Sequence, residues 1–457
     1  MTFRPGLLLC ALLPLAAVAQ ESGPPEQVAA GVTYQERRFM RGADGPFVMQ
    51  VLEVNPRDPR VNLLPVRAKD HMTGKETVSS MVRRYGATAG VNGGYFVVSG
   101  TYAGASAGVY QLDGQPLASG SGRTALVLCQ ERNFVERLEM DVIAFRGRVA
   151  AGENTANIAA LNLPRGTQQI VAYLPQLGPT TLTDGTGVEV LLDGASRVTA
   201  VELAGNSAIP PDGKVLSGAG AGAQWLRAHA SPGNSLDVRM ELARSTPGCP
   251  AADIVGGGPR LVRGGKPAGE MEGFSHAATR NPRTAAAVTH RGTLLFVTVD
   301  GRSAASVGMR LDELADELIA LGAAEAMNLD GGGSTTMVAG DRVRNTPSDG
   351  NERAVSDGIL VFSTGSVEEL SALVERLGMD GAQIRPDILA AMRQKLRDGA
   401  VRDLLPLVNG EGVSAPAARL LREAAYAVAK RGCESRADYE REPNRNCRDG
   451  GQTRPRR

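Results

Sequence analysis

This chain has few of the residue types on which many ligand-binding chemistries depend. It contains four His, one Trp, eight Tyr and nine Phe among 457 residues, so neither a His-rich metal site nor an aromatic platform for nucleic-acid bases is expected. The formal net charge is only +1, which gives no electrostatic attraction to nucleic acid. Beyond the N-terminus no apolar run approaches the ~20 residues of a membrane span. The sequence therefore predicts no nucleic-acid partner and no integral membrane segment.

The N-terminal residues have the pattern of an export signal. Arg4 precedes an apolar run that ends in Ala17-Val18-Ala19, with small residues at the two positions that signal peptidase reads. We predict a signal peptide over residues 1–19 and a polar, Pro-containing linker over residues 20–44. The protein is expected to be exported, either to the periplasm or to the medium.

Cysteine usage agrees with an oxidising compartment. Removal of the signal peptide removes Cys10 and leaves four cysteines, for which three disulfide connectivities are possible. Proximity in sequence favours the pairs Cys129–Cys249 and Cys433–Cys447. There is no CxxC or Cys/His ligand spacing, so no metal site and no cofactor are predicted.

Glycine is the abundant residue, at 56 positions, and many of these glycines separate short runs of Val, Leu, Ile and Thr. That pattern indicates a β-rich domain over residues 45–365. Phe47–Val54 and Val61–Val66 flank a turn and are predicted to form a hairpin. Helices are predicted at Lys75–Tyr85 and Leu311–Leu321, where apolar residues recur at helical spacing.

After residue 365 the pattern becomes helical. Apolar residues recur with charged opposite faces in four segments, Val367–Leu377, Ile384–Leu396, Arg402–Val408 and Ala417–Lys430. We predict an α+β protein: a mixed-sheet domain with a few packed helices, followed by a small all-α appendage over residues 366–432. An irregular basic tail is expected over residues 433–457.

The segment Asn328–Ser334 is the most informative one. A predicted strand ends in Asp330, and Gly331, Gly332 and Gly333 follow it. Three consecutive glycines weaken regular structure by up to ~1 kcal/mol each, so a compensating role is expected. Backbone N–H groups aimed into one concavity can bind an anionic oxygen. A tight hairpin turn is the simpler explanation of such a loop when it is taken alone.

Similar groups occur at other predicted strand ends. Acids, arginines and Gly-rich turns recur at Asn92–Phe96, Val255–Pro259, Arg280–Thr284, Thr298–Arg302 and Asn351–Ser356. Functional groups often lie on the loops of a rigid scaffold. Together these segments predict a site that binds an oxygen-rich anion.

The order of these motifs resembles the phosphodiester glycosidase family. The resemblance covers roughly residues 45–363 and is carried by Asn92–Phe96, Pro282–Ala285, Asp300–Arg302, Asn328–Ser334 and Arg353–Ser356. It implies hydrolysis of the bond between a sugar C1 and a phosphodiester oxygen, with N-acetylglucosamine as the family's sugar. The expected substrate is a carbohydrate phosphodiester of the cell envelope or of an extracellular glycan.

The chemistry of that bond assigns roles to the candidate residues. The leaving group is a phosphate monoester with a second pKa of ~6, so cations and N–H donors around the phosphate matter more than a general acid. Asp330 and Asp300 are the predicted catalytic carboxylates. Substrate binding is predicted for Asn92, Gly93, Gly94, Tyr95, Gly257, Arg283, Thr284, Arg302, Gly331, Gly332, Gly333, Ser334 and Arg353.

A second function remains open at this point. The same fold could serve a non-catalytic protein that binds envelope glycans. The sequence does not decide the native sugar, the stereochemical outcome, a metal requirement, the disulfide connectivity or the oligomeric state.

Overall fold

The structure, a computed structural model, describes residues 21–429 except residues 59, 121, 122, 132, 133, 245–250 and 380. The predicted signal peptide and basic tail lie outside the described residues, as do Cys249, Cys433 and Cys447. Both disulfide pairings therefore stay predictions, although Cys129 is described and lies buried in a strand.

The described residues form three β-sheets and a set of helices. The strands are β1 (Glu21–Ser22), β2 (Glu26–Ala29), β3 (Val32–Arg41), β4 (Asp44–Val54), β5 (Val61–Arg67), β6 (Ala89–Asn92), β7 (Val109–Leu112), β8 (Gln115–Ser119), β9 (Arg123–Glu131), β10 (Phe134–Ala151), β11 (Asn154–Leu161), β12 (Ile170–Tyr173), β13 (Val188–Leu192), β14 (Val198–Glu202), β15 (Lys214–Gly218), β16 (Asp237–Arg244), β17 (Ala251–Gly256), β18 (Arg260–Arg263), β19 (Lys266–Pro267), β20 (Arg283–Thr289), β21 (Leu294–Val299), β22 (Ala323–Asn328), β23 (Met337–Ala339), β24 (Arg342–Val343) and β25 (Asp357–Ser363). The helices are α1 (Val78–Tyr85), α2 (Ala221–His229), α3 (Leu311–Ala320), α4 (Val367–Gly378), α5 (Pro386–Arg397), α6 (Leu404–Val408) and α7 (Ala415–Ala429).

Sheet A has nine strands, in the order β1-β3-β4-β21-β20-β22-β18-β19, with β2 paired to β3. Its central strands are continuous apolar runs, such as β21 (LLFVTV), because both of their faces are buried. Helix α3 covers one face of this sheet. It presents Leu311, Leu314, Ala315 and Leu318 at helical spacing to a core shared with β4, β20 and β21.

Sheet B has five strands in the order β24-β23-β6-β25-β5, all antiparallel. Helix α1 packs on it; Thr77 caps the start of this helix and Gly86 ends it with a φ of 65°. Helices α4 to α7 bury their apolar faces in the same core as α1 and the outer strand β5. The predicted C-terminal appendage is thus helical as expected, and it shares its core with sheet B.

Sheet C contains eleven strands, in the order β14-β13-β15-β12-β11-β10-β9-β17-β7-β8, with β16 paired to β10. Strands β11 and β12 run parallel and the other pairs are antiparallel, so the sheet is mixed. One continuous apolar core joins the three sheets; it includes Leu52 of sheet A, Val91 of sheet B and Leu126 of sheet C. The α+β class with a mixed sheet and C-terminal helices is confirmed.

Two expectations about the N-terminal part are wrong. Residues 26–41 contain strands β2 and β3 of sheet A and are not part of a linker, because β3 pairs antiparallel with β4 and buries Val32, Tyr34 and Phe39. The predicted hairpin does not form. Strand β4 pairs within sheet A and β5 within sheet B, so the turn between them carries the chain from one sheet to the other.

Within the described residues, every helix is too short or too polar to cross a membrane.

Candidate active site

The candidate site lies where strand ends of sheets A and B meet. Strand β20 pairs antiparallel with both β21 and β22, so that Arg283 lies opposite Val299 and Ala285 lies opposite Asn328. The loops after β21 and β22 are therefore brought next to the start of β20. Asn92, the last residue of β6, enters the same region from sheet B.

Asn92 joins the two sheets through its side chain, which is fully buried. Its Nδ2 donates to the Asp330 carbonyl at 2.7 Å, and its Oδ1 accepts from the Thr284 hydroxyl at 2.8 Å and from the Thr336 N–H at 3.1 Å. Nδ2 also lies 3.4 Å from the Gly93 carbonyl, so all four hydrogen-bonding positions of the carboxamide are used within the protein. Both side chains are buried and satisfied within the protein, and the expectation that Asn92 and Thr284 contact substrate stays a prediction. The two side chains position the backbone of Asp330.

A buried ion pair lies next to the Gly93-Gly94 turn and holds it in place. The Arg67 guanidinium lies 2.7 Å from Asp357 Oδ2, and both side chains are almost fully buried. The other carboxylate oxygen of Asp357 accepts from the Gly94 N–H at 2.8 Å. A β-carbon at Gly93 would overlap this carboxylate, so the turn can lie on Asp357 only because Gly93 has no side chain.

The backbone of Asp330 is held by Asn92 on one side and by Gly93 on the other. Its N–H donates to the Gly93 carbonyl at 3.1 Å. Burial raises the pKa of the Asp330 carboxyl to about 6, and the negative charge of Asp357 acts in the same direction. The Ser334 hydroxyl, the Gly331 N–H and Arg353 act against that rise in pKa. A carboxyl with a pKa near 6 changes its charge close to neutral pH, as catalytic carboxyls do.

Two guanidinium groups lie on the glycine turn that follows Asp330. A β-carbon at Gly332 would lie 3.1 Å from Nη2 of Arg302, and one at Gly333 would overlap the guanidinium of Arg353 and its partner Asp349. Arg353 pairs with Asp349 at 2.5 Å, whereas the exposed Arg302 donates to Asn281 Oδ1 at 3.1 Å. The turn thus lets two cations approach its backbone, which fits an anion site.

Several buried oxygens around this turn have no hydrogen-bond partner among the described residues. They are Asn328 Oδ1, Thr335 Oγ1, Thr336 Oγ1 and Ser348 Oγ. Buried polar atoms are nearly always hydrogen-bonded in folded proteins. These four buried oxygens are therefore exceptions to that rule among the described residues.

Arg283 donates hydrogen bonds to three backbone carbonyls. Its Nε donates to the Met309 carbonyl at 2.8 Å, and its Nη2 donates to the carbonyls of His276 at 2.8 Å and Thr279 at 2.6 Å. Burial lowers the pKa of Arg283 to about 10, and the nearby charge of Arg302 acts in the same direction. These donors hold a loop, and the substrate contact expected for Arg283 stays a prediction.

Asp300 is buried at the end of β21. Burial raises the pKa of its carboxyl to about 6, against the effect of the Thr346 N–H, which donates to Oδ1 at 3.0 Å. Among the described residues no hydrogen bond joins Asp300 to Asp330. The two predicted catalytic carboxyls thus have similar pKa values and different partners, and their catalytic roles stay predictions.

Tyr95 and Gly257 lie on the sheet-C side of Asn328. The Tyr95 hydroxyl accepts from Asn328 Nδ2 at 2.7 Å and donates to the Gly258 carbonyl at 3.0 Å, and its ring is half-buried. Gly257 is buried and donates to the Thr124 carbonyl at 3.0 Å. A β-carbon at Gly94 would overlap the Gly256 carbonyl. The glycines of these two clusters therefore allow backbone segments to pack on one another, and substrate contact through Gly257 is not supported.

Sequence reasoning missed several residues around the site: Arg67, Asp357, Arg123 and Phe274. Asp357 follows directly after the Arg353–Ser356 motif, which was the one available signal. Arg67 precedes Asp357 by 290 positions in the chain, and no local pattern links the two.

Comparison with known proteins gives one family and several relatives. The family model for phosphodiester glycosidases matches residues 186–362. The SPbeta prophage-derived uncharacterized protein YomE of Bacillus subtilis (strain 168) is 35% identical over 102 residues, which are 22% of this chain and 16% of that protein. The chain therefore spans a small part of that relative's length.

Two crystal structures share the fold. A candidate exported protein from Burkholderia pseudomallei K96243 aligns with a TM-score of 0.66 at 24% identity, covering 79% of this chain and 100% of that one. A hypothetical protein from Synechocystis aligns with a TM-score of 0.63 at 25% identity, covering 75% of this chain and 64% of that one. The family match includes Asp300, Asp330 and the glycine turn, so residues 186–362 are similar to a phosphodiester glycosidase domain.

Proposed function

We propose that this protein is a hydrolase that cleaves a sugar-1-phosphodiester in cell-envelope or extracellular glycans. The observation that carries the proposal is the glycine turn beside Asp330, on which the guanidinium groups of Arg302 and Arg353 lie. The family match supports a glycosidase, and this arrangement supports an anionic phosphodiester as the group next to the bond that breaks.

In the proposed reaction the bond between the sugar C1 and the phosphate oxygen breaks, and that oxygen keeps the electron pair. Arg302, Arg353 and the N–H groups of the glycine turn stabilise the departing phosphate. The Asp330 carboxylate stabilises the cationic C1 or bonds to it. Water supplies a hydroxyl group to C1 and its remaining proton to solvent, so the products are the free sugar and the phosphate monoester.

The test uses UDP-N-acetylglucosamine in water enriched in oxygen-18. Cleavage at C1 releases N-acetylglucosamine that carries the label, together with unlabelled UDP. Cleavage at phosphorus places the label in phosphate and would contradict the proposal. We expect Asp330→Asn to lower kcat at least ~100-fold, while the exposed control Asp312→Asn keeps wild-type activity.

Asp300→Asn is assayed in the same series. A loss similar to that of Asp330→Asn supports a second carboxylate in catalysis, and wild-type activity assigns Asp300 to structure alone. If the wild type and all variants release only background sugar from several sugar-1-phosphodiesters, the hydrolase proposal fails. Saturable glycan binding without turnover would then support a binding protein.

We also propose export as the protein's route. The leader pattern of residues 1–19 supports it, as does the likeness in fold to a candidate exported protein of Burkholderia. N-terminal sequencing of the mature protein is expected to begin at Gln20, and a mature chain that begins at Met1 would contradict this.

A further inference from the structure

An aromatic pair with a cation on it borders the candidate site. The ring centroids of Tyr95 and Phe274 are 6.2 Å apart at an interplanar angle of 36°. The guanidinium carbon of Arg123 lies 5.8 Å from each of the two centroids. We call these three side chains the aromatic shelf.

The shelf is fixed to the catalytic region through two connections. The Tyr95 hydroxyl accepts a hydrogen bond at 2.7 Å from Asn328, two residues before Asp330. The loop that follows Phe274 is held by Arg283, whose Cα packs against Gly331. The shelf is therefore connected to the Asn328–Asp330 segment through Tyr95 and to the glycine turn through Arg283.

Arg123 differs from the arginines at the turn. It is exposed, and among the described residues its side chain has no ion pair or hydrogen bond; its guanidinium lies over the two rings. Arg353, by contrast, is paired with Asp349. A guanidinium held on aromatic rings keeps its planar donors free, in the geometry that binds a carboxylate through two hydrogen bonds.

On this basis we propose that the aromatic shelf binds the sugar whose C1 is attacked, and that this sugar carries a carboxylate, as a uronic acid does. The inference rests on the proposed function. With the phosphate on the glycine turn, the sugar extends from Asp330 onto the shelf, where the aromatic rings pack against its C–H groups. Arg123 then pairs with the carboxylate at the edge of the sugar ring.

The experiment compares UDP-glucuronic acid with UDP-glucose. The two substrates share the leaving group and differ at C6, so the ratio of their kcat/KM values reports on the sugar side alone. A charge-assisted pair of hydrogen bonds predicts a preference of roughly 10-fold for UDP-glucuronic acid. Arg123→Gln is expected to abolish this preference, so that kcat/KM becomes similar for the two substrates.

Two further variants sharpen the result. Arg239→Gln removes another exposed arginine, on β16, and is expected to keep the preference. Phe274→Ala is expected to lower kcat/KM for both substrates, since it removes one of the two aromatic rings on which the sugar packs. If Arg123→Gln is active and its ratio of kcat/KM values for the two substrates equals that of the wild type, the proposal is overturned.

Direct binding separates this proposal from the hydrolase proposal. If neither nucleotide sugar is cleaved, saturation-transfer NMR with free glucuronic acid and glucose still tests the shelf. Stronger binding of glucuronic acid that is lost in Arg123→Gln supports the shelf while the hydrolase proposal fails. Equal binding of the two sugars, or a preference that Arg123→Gln retains, overturns the shelf proposal.

Discussion

Asp357 and Gly94 are joined by a 2.8 Å hydrogen bond from the Gly94 N–H to a carboxylate whose other oxygen pairs with the buried Arg67. Gly93 accepts in turn from the N–H of Asp330. The position of the candidate catalytic carboxyl thus depends on a charge pair that does not itself reach the glycine turn. Breaking that pair is expected to affect both stability and activity.

Asp357→Asn leaves Arg67 buried without a carboxylate. We expect a loss of about 3–5 kcal/mol in the free energy of unfolding, because an uncompensated buried charge is costly. Urea denaturation measures it. The exposed pair Glu375–Arg393 provides the control, and Glu375→Gln is expected to cost less than ~1 kcal/mol. Equal effects of the two variants would contradict the role given to Asp357.

Asn92→Ala removes the donor to the Asp330 carbonyl and leaves the Thr284 hydroxyl and the Thr336 N–H without their acceptor. We expect a stability loss of about 2–4 kcal/mol and a fall in kcat with little change in KM, since the buried Asn92 side chain holds the backbone of Asp330. Steady-state kinetics on the folded fraction separates the two parameters. A rise in KM at unchanged kcat would instead assign Asn92 to substrate binding.

The pH dependence of stability follows from Asp330. Its folded pKa of about 6 lies above the ordinary value of 3.8, so ionisation costs more in the folded state. The stabilisation that the protonated Asp330 carboxyl contributes is fully present below about pH 4 and is lost as the pH rises through 6. The loss is roughly 1–3 kcal/mol for this half-buried group.

Asp330→Asn removes that loss. We expect the variant to be more stable than the wild type by roughly this amount at pH 7.5 and about equally stable at pH 4. Urea denaturation of both proteins at the two pH values checks this. A variant that is less stable than the wild type at pH 7.5 would contradict the raised pKa.

Gly333→Ala places a β-carbon on the Arg353 guanidinium and the Asp349 carboxylate. We expect kcat/KM for the phosphodiester to fall at least ~10-fold, because a displacement near 1 Å in a catalytic site has effects of that order or larger. Gly185 has open space around its Cα, so Gly185→Ala serves as the control and should keep full activity. Full activity in both variants would remove Arg353 from the proposed anion site.

The C-terminal helices are expected to unfold together with sheet B. Leu370 of α4 is fully buried in the core that also holds Val82 of α1 and Leu360 of β25. Leu370→Ala should cost about 2–5 kcal/mol, in a single transition followed by both circular dichroism and activity. Loss of helical signal at a denaturant concentration where activity persists would show that the helices form a separate unit.

Local patterns in the sequence were sufficient to predict several elements. The periodicity of Leu311, Leu314 and Leu318 specifies α3, and Gly86 marks the end of α1, because helical faces and caps are set by nearby residues. The same holds for the four C-terminal helices. The cluster of glycines after Asp330 likewise marked the turn beside which the candidate site lies.

Side-chain roles at the site depended on partners that are distant in the chain. Asn92 was predicted to contact a sugar, and its burial became visible only when Thr284 and Asp330 lay beside it. Arg283 was predicted to bind phosphate, and its donors hold the His276–Thr279 loop. Arg123 and Phe274 lie far apart in sequence, and sequence analysis overlooked both.

By itself the sequence determined the β-rich composition, the helices and the glycine turn after Asp330, since these follow from periodicity and from the backbone freedom of single residues. The tertiary structure alone decided which glycines serve the site. Gly94 and Gly257 allow backbones to pack closely, and Gly93 lets its turn lie on the Asp357 carboxylate, whereas Gly332 and Gly333 let Arg302 and Arg353 approach the turn. The physical reason is that each of these roles depends on the atom that faces the missing β-carbon, and that atom belongs to another segment of the chain.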